Sequence, residues 1–192
     1  QNVTDFLRGA QVRNIAILQT HLHTDHIAGL SVNNLLFDRK LGHLGIFSPD
    51  LGTKNIKDVW EEAFSEAHWP VRPEKFGINP SFRQFKIGGK DFPSYISTMR
   101  LCHPGGSVAY RFHHPHGDIV IATDHEPGRD EKIDKEYAEF VSGATFLVAD
   151  IQYRQSEYNG DVGISGGPAM SRKDWGHATP ESLAAVIKNC EV

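Results

Sequence analysis

The sequence predicts an α/β fold in which helices cover mixed sheets. Three observations lead there. Short apolar runs bounded by turn residues alternate with segments whose apolar residues recur at helical spacing. The strands in the middle of the chain are linked by tight hairpins, which a purely parallel sheet does not allow. The chain has 192 residues, 39% hydrophobic and 23% charged. That balance marks a globular chain, and that length suits a single domain, 1–192, with a sizeable core.

Each element follows from a local pattern. "NIAILQTH" (14–21) is too short for a helix and reads as a buried strand that delivers His21 at its C-terminal end. "IAGLSVNNLLFDRKLG" (27–42) then predicts a helix ended by Gly42. "HLGIFSP" is a second strand, stopped at Pro49, and "NIKDVWEEAFSE" carries Ile56, Val59, Trp60, Ala63 and Phe64 at helical spacing. "SFRQFKIGG" is strand-like with a turn at Gly88 and Gly89. "YISTMRLCH", "SVAYRFHH" and "IVIATDH" predict three strands joined through "PGG" and "PHGD". "DKEYAEFVSGA" is a helix with a Gly-Ala exit, and "TFLVADIQY" a buried strand ending in polar Asp150 and Gln152. A glycine-rich loop leads to "TPESLAAVIKNC", a helix with Thr179 as N-cap, Pro180 at its first position and Glu181 in its first turn.

Composition narrows the function classes. A formal net charge of −4 disfavours non-specific adhesion to nucleic acid or anionic membrane. No apolar run approaches the roughly 18 residues of a membrane span, and no signal-peptide pattern opens the sequence. Two cysteines, Cys102 and Cys190, make neither a disulfide scaffold nor a CxxC motif and fit a reducing compartment, so the expected location is cytoplasmic. The sequence opens on Gln1 rather than Met, which suggests a trimmed or incomplete start.

The eleven histidines are the unusual feature. "HLHTDH" places His21, His23, Asp25 and His26 directly after a buried strand. Alternate residues of an extended segment face one side, so His21 and His23 point together. Asp25 and His26 lie in the turn entering a helix and face a neighbouring point. Imidazole nitrogens and carboxylate oxygens suit zinc, and also manganese or iron. The natural partition gives two histidines to one ion and the Asp25–His26 pair to a second. "HHPH" (113–116) sits at a hairpin turn and is read as solvated histidines, while His43, His68 and His125 lack a cluster of their own. His103 ends a strand before the sharp "PGG" turn, and Asp124 follows the apolar run "IVIAT".

With His103 and Asp124 following in order, "HLHTDH" fits the HxHxDH motif, and nearly the whole chain resembles the metallo-β-lactamase superfamily. The resemblance implies a four-layer αββα sandwich with a dinuclear metal site, two zinc ions or manganese or iron in their place. It implies that His21, His23 and His103 hold the first ion, that Asp25 and His26 hold the second, and that Asp124 bridges both. "VADIQY" followed by "WGHAT" resembles the branch of tRNase Z and the cyclic-phosphate phosphodiesterases. By that resemblance Asp150 orients His177, and His177 protonates the leaving oxygen. With Asp25, these two form the implied catalytic set.

That family places further strands before its first motif and a last histidine ligand after its final helix. Here only twenty residues precede His21, and the sequence stops at Val192. The resemblance therefore implies a segment of a longer protein or a natural truncation, with the second ion the looser. The implied reaction is hydrolysis of a phosphodiester by a hydroxide bridging the two cations, which lower its pKa. tRNA is disfavoured, because an RNA-binding arm has little room in the twenty residues between His103 and Asp124. A small or cyclic phosphodiester is the expected substrate. A lactone, thioester or β-lactam hydrolase and a non-catalytic metal-binding sensor are the alternatives. A sheet edge exposed by truncation would favour a homodimer.

Overall fold

The computed structural model describes residues 3–190, and the expectations resting on Gln1 and on the stop at Val192 lie outside the described residues. The chain divides into two compact units, Gln1–Phe85 and Lys86–Val192. Among the described residues, no helix is long and apolar enough to cross a membrane.

In the first unit a short helix, α1 (Val3–Gly9), precedes a parallel sheet in the order β1 (Asn14–Leu18), β2 (His43–Pro49), β3 (Ser81–Phe85). Parallel neighbours need long crossovers. Helix α2 (Thr24–Ser31) lies in the first crossover and α3 (Ile56–Ala63) in the second. The central strand β2 is buried along most of its length, which is why its sequence shows an apolar run rather than alternation. Helix α3 begins where the Asn55 side chain accepts the Asp58 N–H at 3.0 Å. Its Ile56 and Trp60 turn inward with Phe64, and they close the core with Leu36, Leu44 and Ile46. The Trp60 ring lies 4.4 Å from that of Phe64 and 5.4 Å from that of Phe82. Truncating an aromatic anchor of this kind to alanine costs about 3–5 kcal/mol.

Two expected boundaries move. The strand expected over 14–21 stops at Leu18. Gln19 N–H still donates to the Phe47 carbonyl at 2.8 Å, but the next partner on β2 would be the N–H of residue 49, and Pro49 has none. The helix expected over 27–42 instead begins at Thr24 and ends at Ser31. Beyond it the Asn33 side chain accepts the Leu35 N–H at 3.0 Å and starts a separate 3-10 turn, Asn34–Phe37. A short polar side chain offering its own acceptor competes with helix continuation.

The second unit is a four-stranded sheet in the order β4 (Ile96–Leu101), β5 (Ser107–Phe112), β6 (Asp118–Ala122), β7 (Ala144–Ala149). The first three strands are antiparallel neighbours, and β7 runs parallel to β6. The crossover is α4 (Glu131–Val141), capped by Asp130, whose carboxylate accepts the N–H groups of Lys132 and Ile133, both at 3.0 Å. Tyr137 and Val141 of α4 pack with Met99, Leu101, Ala109, Val120 and Ala122 of the sheet. Leu183, Val186 and Ile187 of the last helix, α6 (Pro180–Ile187), join that core. Thr179 caps α6 as expected, accepting the Ser182 N–H at 3.1 Å. A five-residue helix, α5 (Gln155–Asn159), precedes the glycine-rich loop and has no counterpart among the expected elements.

Arg111 locks the β5–β6 hairpin to the exit of α4. Its Nε donates to Asp118 at 2.7 Å, and one terminal nitrogen donates to the carbonyls of Phe140 and Ser142 at 2.7 and 2.8 Å. The topology has one consequence for chemistry. Because β4 and β6 each lie antiparallel to β5, and β7 is parallel to β6, the strands β4, β6 and β7 all run the same way. Their C-terminal ends, and the residues just beyond them, fall at one edge of the sheet.

Candidate metal centre

That edge carries His103, Asp124 and Asp150. His103 lies two residues past β4, in a turn closed by Gly106 N–H donating to the His103 carbonyl at 2.7 Å. Asp124 lies two residues past β6, buried, and with a left-handed backbone at φ 60°. A non-glycine residue held in that region stores strain, of the sort that accumulates at functional sites. Asp150 follows β7 directly. His177 comes from the segment that enters α6.

Two hydrogen bonds set the imidazoles. The Asp150 carboxylate accepts from His177 Nδ1 at 2.6 Å, a short charge-assisted bond. The Gly176 carbonyl, which can only accept, takes the Nδ1–H of His103 at 2.9 Å. Each ring therefore carries its proton on Nδ1 and keeps Nε2 for other chemistry. The two rings meet edge to face, 5.3 Å between centroids, and Tyr153 closes on His177 at 5.7 Å. His103, Asp124 and His177 each present a ligand atom within 4.8 Å of the others. His177 Nδ1 also lies 3.7 Å from an Asp124 oxygen.

The first unit brings its histidines together as well. His21 and His23 follow the end of β1, and His23 is the N-cap of α2 without a capping bond from its side chain. His21 is buried, and its Nε2 lies 2.9 Å from His23 Nδ1. The His21 and His26 rings are 4.2 Å apart, and Thr20 Oγ1 lies 3.1 Å from His21 Nδ1 and 3.4 Å from His26 Nδ1. Asp25 is largely exposed, with its carboxylate 3.4 Å from His26 Nε2. Its position in the first turn of α2 suits a negative charge.

Both donor sets fit a divalent transition metal. They are imidazole nitrogen and carboxylate oxygen, with His21 and Asp124 buried and His103 held in the tautomer that leaves Nε2 as a lone pair. No protein-family model matches the chain, and no curated protein matches it. Among solved structures it is similar to the metallo-β-lactamase fold protein YhfI from Bacillus subtilis, with 15% identity and a TM-score of 0.56 over 90% of this chain and 59% of that one. It is also similar to human tRNase Z, short form (ELAC1), with 17% identity and a TM-score of 0.57 over 91% of this chain and 68% of that one. The chain has the metallo-β-lactamase fold. It spans less than two thirds of the length of YhfI. Each unit supplies one sheet and its helices, the components of the expected sandwich.

Within that fold, the histidines outside the motifs have local partners. His113 donates its Nδ1–H to Asp118 in the β5–β6 hairpin at 2.9 Å and meets Ser97 Oγ of β4 at Nε2, 2.7 Å away, and His114 and His116 stand exposed at the hairpin turn. His43 opens β2 and lies 3.2 Å from Ser81 Oγ. His125 is buried, and burial pushes its pKa down to about 4. Its neutral ring accepts the Cys102 N–H at Nδ1, at 3.2 Å.

One residue escaped the reading of the sequence. Glu126 is buried two positions past Asp124, and its carboxylate accepts the N–H groups of Asp174 and Gly176 at 2.9 and 2.7 Å and the Tyr158 hydroxyl at 2.7 Å. Burial and this carboxylate push the Tyr158 phenol up to about 12, so it stays a donor. The only sequence signal was an acidic residue in a segment, "TDHEP", already flagged for Asp124.

Proposed function

We propose that the chain is the core of a dinuclear metal-dependent phosphodiesterase that acts on a small or cyclic phosphodiester. The observation that carries the reading is the 2.6 Å bond from His177 to Asp150, at the same sheet edge as His103 and Asp124. Ester hydrolysis by a hydroxide needs little help at the leaving group when that group is a good one. A phosphodiester with an alkoxide leaving group needs a proton, and an imidazole steadied by a carboxylate is suited to give it.

In this proposal His21, His23 and His103 hold one cation, Asp25 and His26 hold the second, and Asp124 bridges. Two zinc ions are the expected pair, with manganese or iron able to replace them. Once bound, the cations supply charge neutralisation at the phosphoryl oxygens and a nucleophile at neutral pH. Asp150 holds His177 by Nδ1–H and stabilises its protonated form. The Nε2–H of His177 then passes its proton to the departing oxygen. The Tyr153 ring against the His177 face limits rotation of the imidazole. Gly176 holds His103 by Nδ1 and keeps its Nε2 directed away from the backbone.

The span between His103 and Asp124 supports a small substrate. It is taken up by β5, a turn over 113–117 and β6, with no arm projecting from it. The likeness to tRNase Z favours a second reading, an RNA phosphodiester. The test is hydrolysis by zinc- or manganese-loaded protein of bis(p-nitrophenyl) phosphate, cyclic nucleotides and a precursor tRNA, with His177→Ala in parallel. Turnover of the small diesters that falls about 10²–10⁴-fold in His177→Ala at unchanged metal content is expected. Unchanged turnover in that variant supports a lactone, thioester or β-lactam hydrolase instead. Failure to retain metal supports the sensor, and cleavage of the tRNA alone overturns the small-substrate reading.

A further inference from the structure

We propose that Glu126 is a positioning residue that holds the 174–177 segment against His103 and thereby sets the His103 tautomer. The proposal rests on the reading of His103 as a metal ligand. Strained backbone and hydrogen bonding converge on one carboxylate. Asp174 and Gly176 both have left-handed backbones, at φ 68° and 88°. Alternating them about Trp175 turns the N–H groups of 174 and 176 toward a common point. Converging backbone N–H groups of this kind demand an anion. Glu126 meets the demand, with Oε1 taking Asp174 N–H and Tyr158 hydroxyl, and Oε2 taking Gly176 N–H.

The same residue is tied to the other side of the site. Glu126 N–H donates to the Cys102 carbonyl at 2.8 Å, one residue before His103. Glu126 thus joins the backbone that carries His103 to the backbone that carries Gly176 and His177. The close approach it enforces is tight enough that only glycine fits at 176. A Cβ there would overlap His103 Nδ1 and Pro104 Cδ and would lie 2.8 Å from His103 Cε1. With Gly176 in place, its carbonyl accepts the His103 Nδ1–H at 2.9 Å. That bond leaves Nε2 as the lone pair. A glutamine at 126 would present one acceptor and one donor to three donors, so at least one of them would face an amide NH₂.

The experiment uses the full chain, with metal removed and then restored. Long-range ¹H–¹⁵N correlation of the imidazoles in the metal-free protein is expected to show His103 as the Nδ1–H tautomer alone. Amide exchange is expected to show Gly176 N–H protected. Glu126→Gln is expected to mix the His103 tautomers and to weaken zinc, measured by chelator competition, about 10–100-fold. Tyr158→Phe removes one donor from the same carboxylate and is expected to leave both readouts unchanged. A Glu126→Gln protein that keeps a single His103 tautomer and wild-type zinc affinity overturns the proposal. If that variant does not fold, the wild-type spectrum decides: an unprotected Gly176 N–H or an Nε2–H His103 overturns it. A single His103 tautomer in the wild type and the affinity loss in Glu126→Gln, with no phosphodiester cleaved by the wild type, leave the role of Glu126 standing and remove the phosphodiesterase reading.

Discussion

Replacing Gly176 by alanine separates the stability of the second unit from its capacity for metal. Three costs arise. A left-handed backbone at φ 88° strains any residue with a Cβ by about 1–2 kcal/mol. The added methyl overlaps His103 Nδ1 and Pro104 Cδ, both anchored to backbone, and overpacking of that kind costs about 1–3 kcal/mol. Displacing His103 breaks the Nδ1–H bond to the Gly176 carbonyl, worth about 1 kcal/mol. The alanine recovers roughly 0.4–1 kcal/mol by restricting the unfolded chain. The net loss is about 4 kcal/mol, within a range of about 2–6 kcal/mol.

Gly117→Ala is the matched control. Its φ is 126°, and an added Cβ would overlap Thr145 Oγ1 and lie 2.8 Å from Thr145 Cβ, at the hairpin turn beside β7 rather than at the candidate centre. It should cost a similar amount. The assay is urea unfolding followed by circular dichroism, without and with zinc. At 100 times its dissociation constant, zinc adds about 2.7 kcal/mol to a protein that binds it only when folded. Gly117→Ala should keep that increment and Gly176→Ala should lose most of it. A Gly176→Ala protein that is destabilised yet keeps the full zinc increment refutes the reasoning that Gly176 orients His103 for metal. One that is destabilised by less than about 0.5 kcal/mol refutes the steric argument itself.

Two further perturbations test the frame around the centre. The Arg111 guanidinium, helped by the His114 N–H and by His113, holds the Asp118 carboxyl down to about 2 from its usual 3.8. The folded form keeps its charge longer than the unfolded one, so this stabilisation is fully present above the unfolded value and is lost as pH falls through the folded one. The urea midpoint of the wild type should drop over that acid window, and Asp118→Asn should start lower and lack that part of the slope; parallel curves for the two proteins would count against the pair. Thr179→Ala removes the acceptor for Ser182 N–H and the donor to Gln155, both at 3.1 Å, and should cost about 1 kcal/mol, whereas Thr179→Ser should be close to neutral. Equal urea midpoints for wild type and Thr179→Ala would show that the cap is not limiting.

The strands were legible because each is a short apolar run with punctuation at both ends. β2 is bounded as "HLGIFSP" suggests, and the hairpin linkage of β4, β5 and β6 follows from "PGG" and "PHGD". What misled was the continuation past an end. The apolar residues Leu35 and Leu36 extend the helical pattern beyond Ser31, yet they belong to a 3-10 turn, because the Asn33 side chain supplies a competing acceptor. Likewise "QTH" prolongs the pattern of β1, but Pro49 on the neighbouring strand has no N–H to continue the ladder. Both errors depend on one hydrogen bond made or missing, and periodicity carries no information on either.

The candidate centre divides along a similar line. The residues proposed to touch a metal or a substrate could be named from the sequence, because chemistry restricts such residues to types like histidine and aspartate and topology restricts them to strand ends. His103, Asp124 and Asp150 each stand within two residues of the C-terminal end of a strand, and those strands run the same way. The residues that orient them were not findable by type. The tautomer of His103 is set by a backbone carbonyl, which every residue possesses, and the loop bearing that carbonyl is held by a glutamate among the 24 acidic residues of the chain. Glycine at 176 was visible but ambiguous, since the approach to α6 is rich in glycine throughout. What singles out Gly176 is a conjunction: a left-handed backbone, an N–H bound to a buried carboxylate, a carbonyl bound to an imidazole, and no room for a methyl. Each constraint alone tolerates other residues at modest cost. Together they bind the orientation of His103 to the strain in a loop fifty residues beyond Glu126, which is why a substitution at 126 or at 176 is expected to be read at 103.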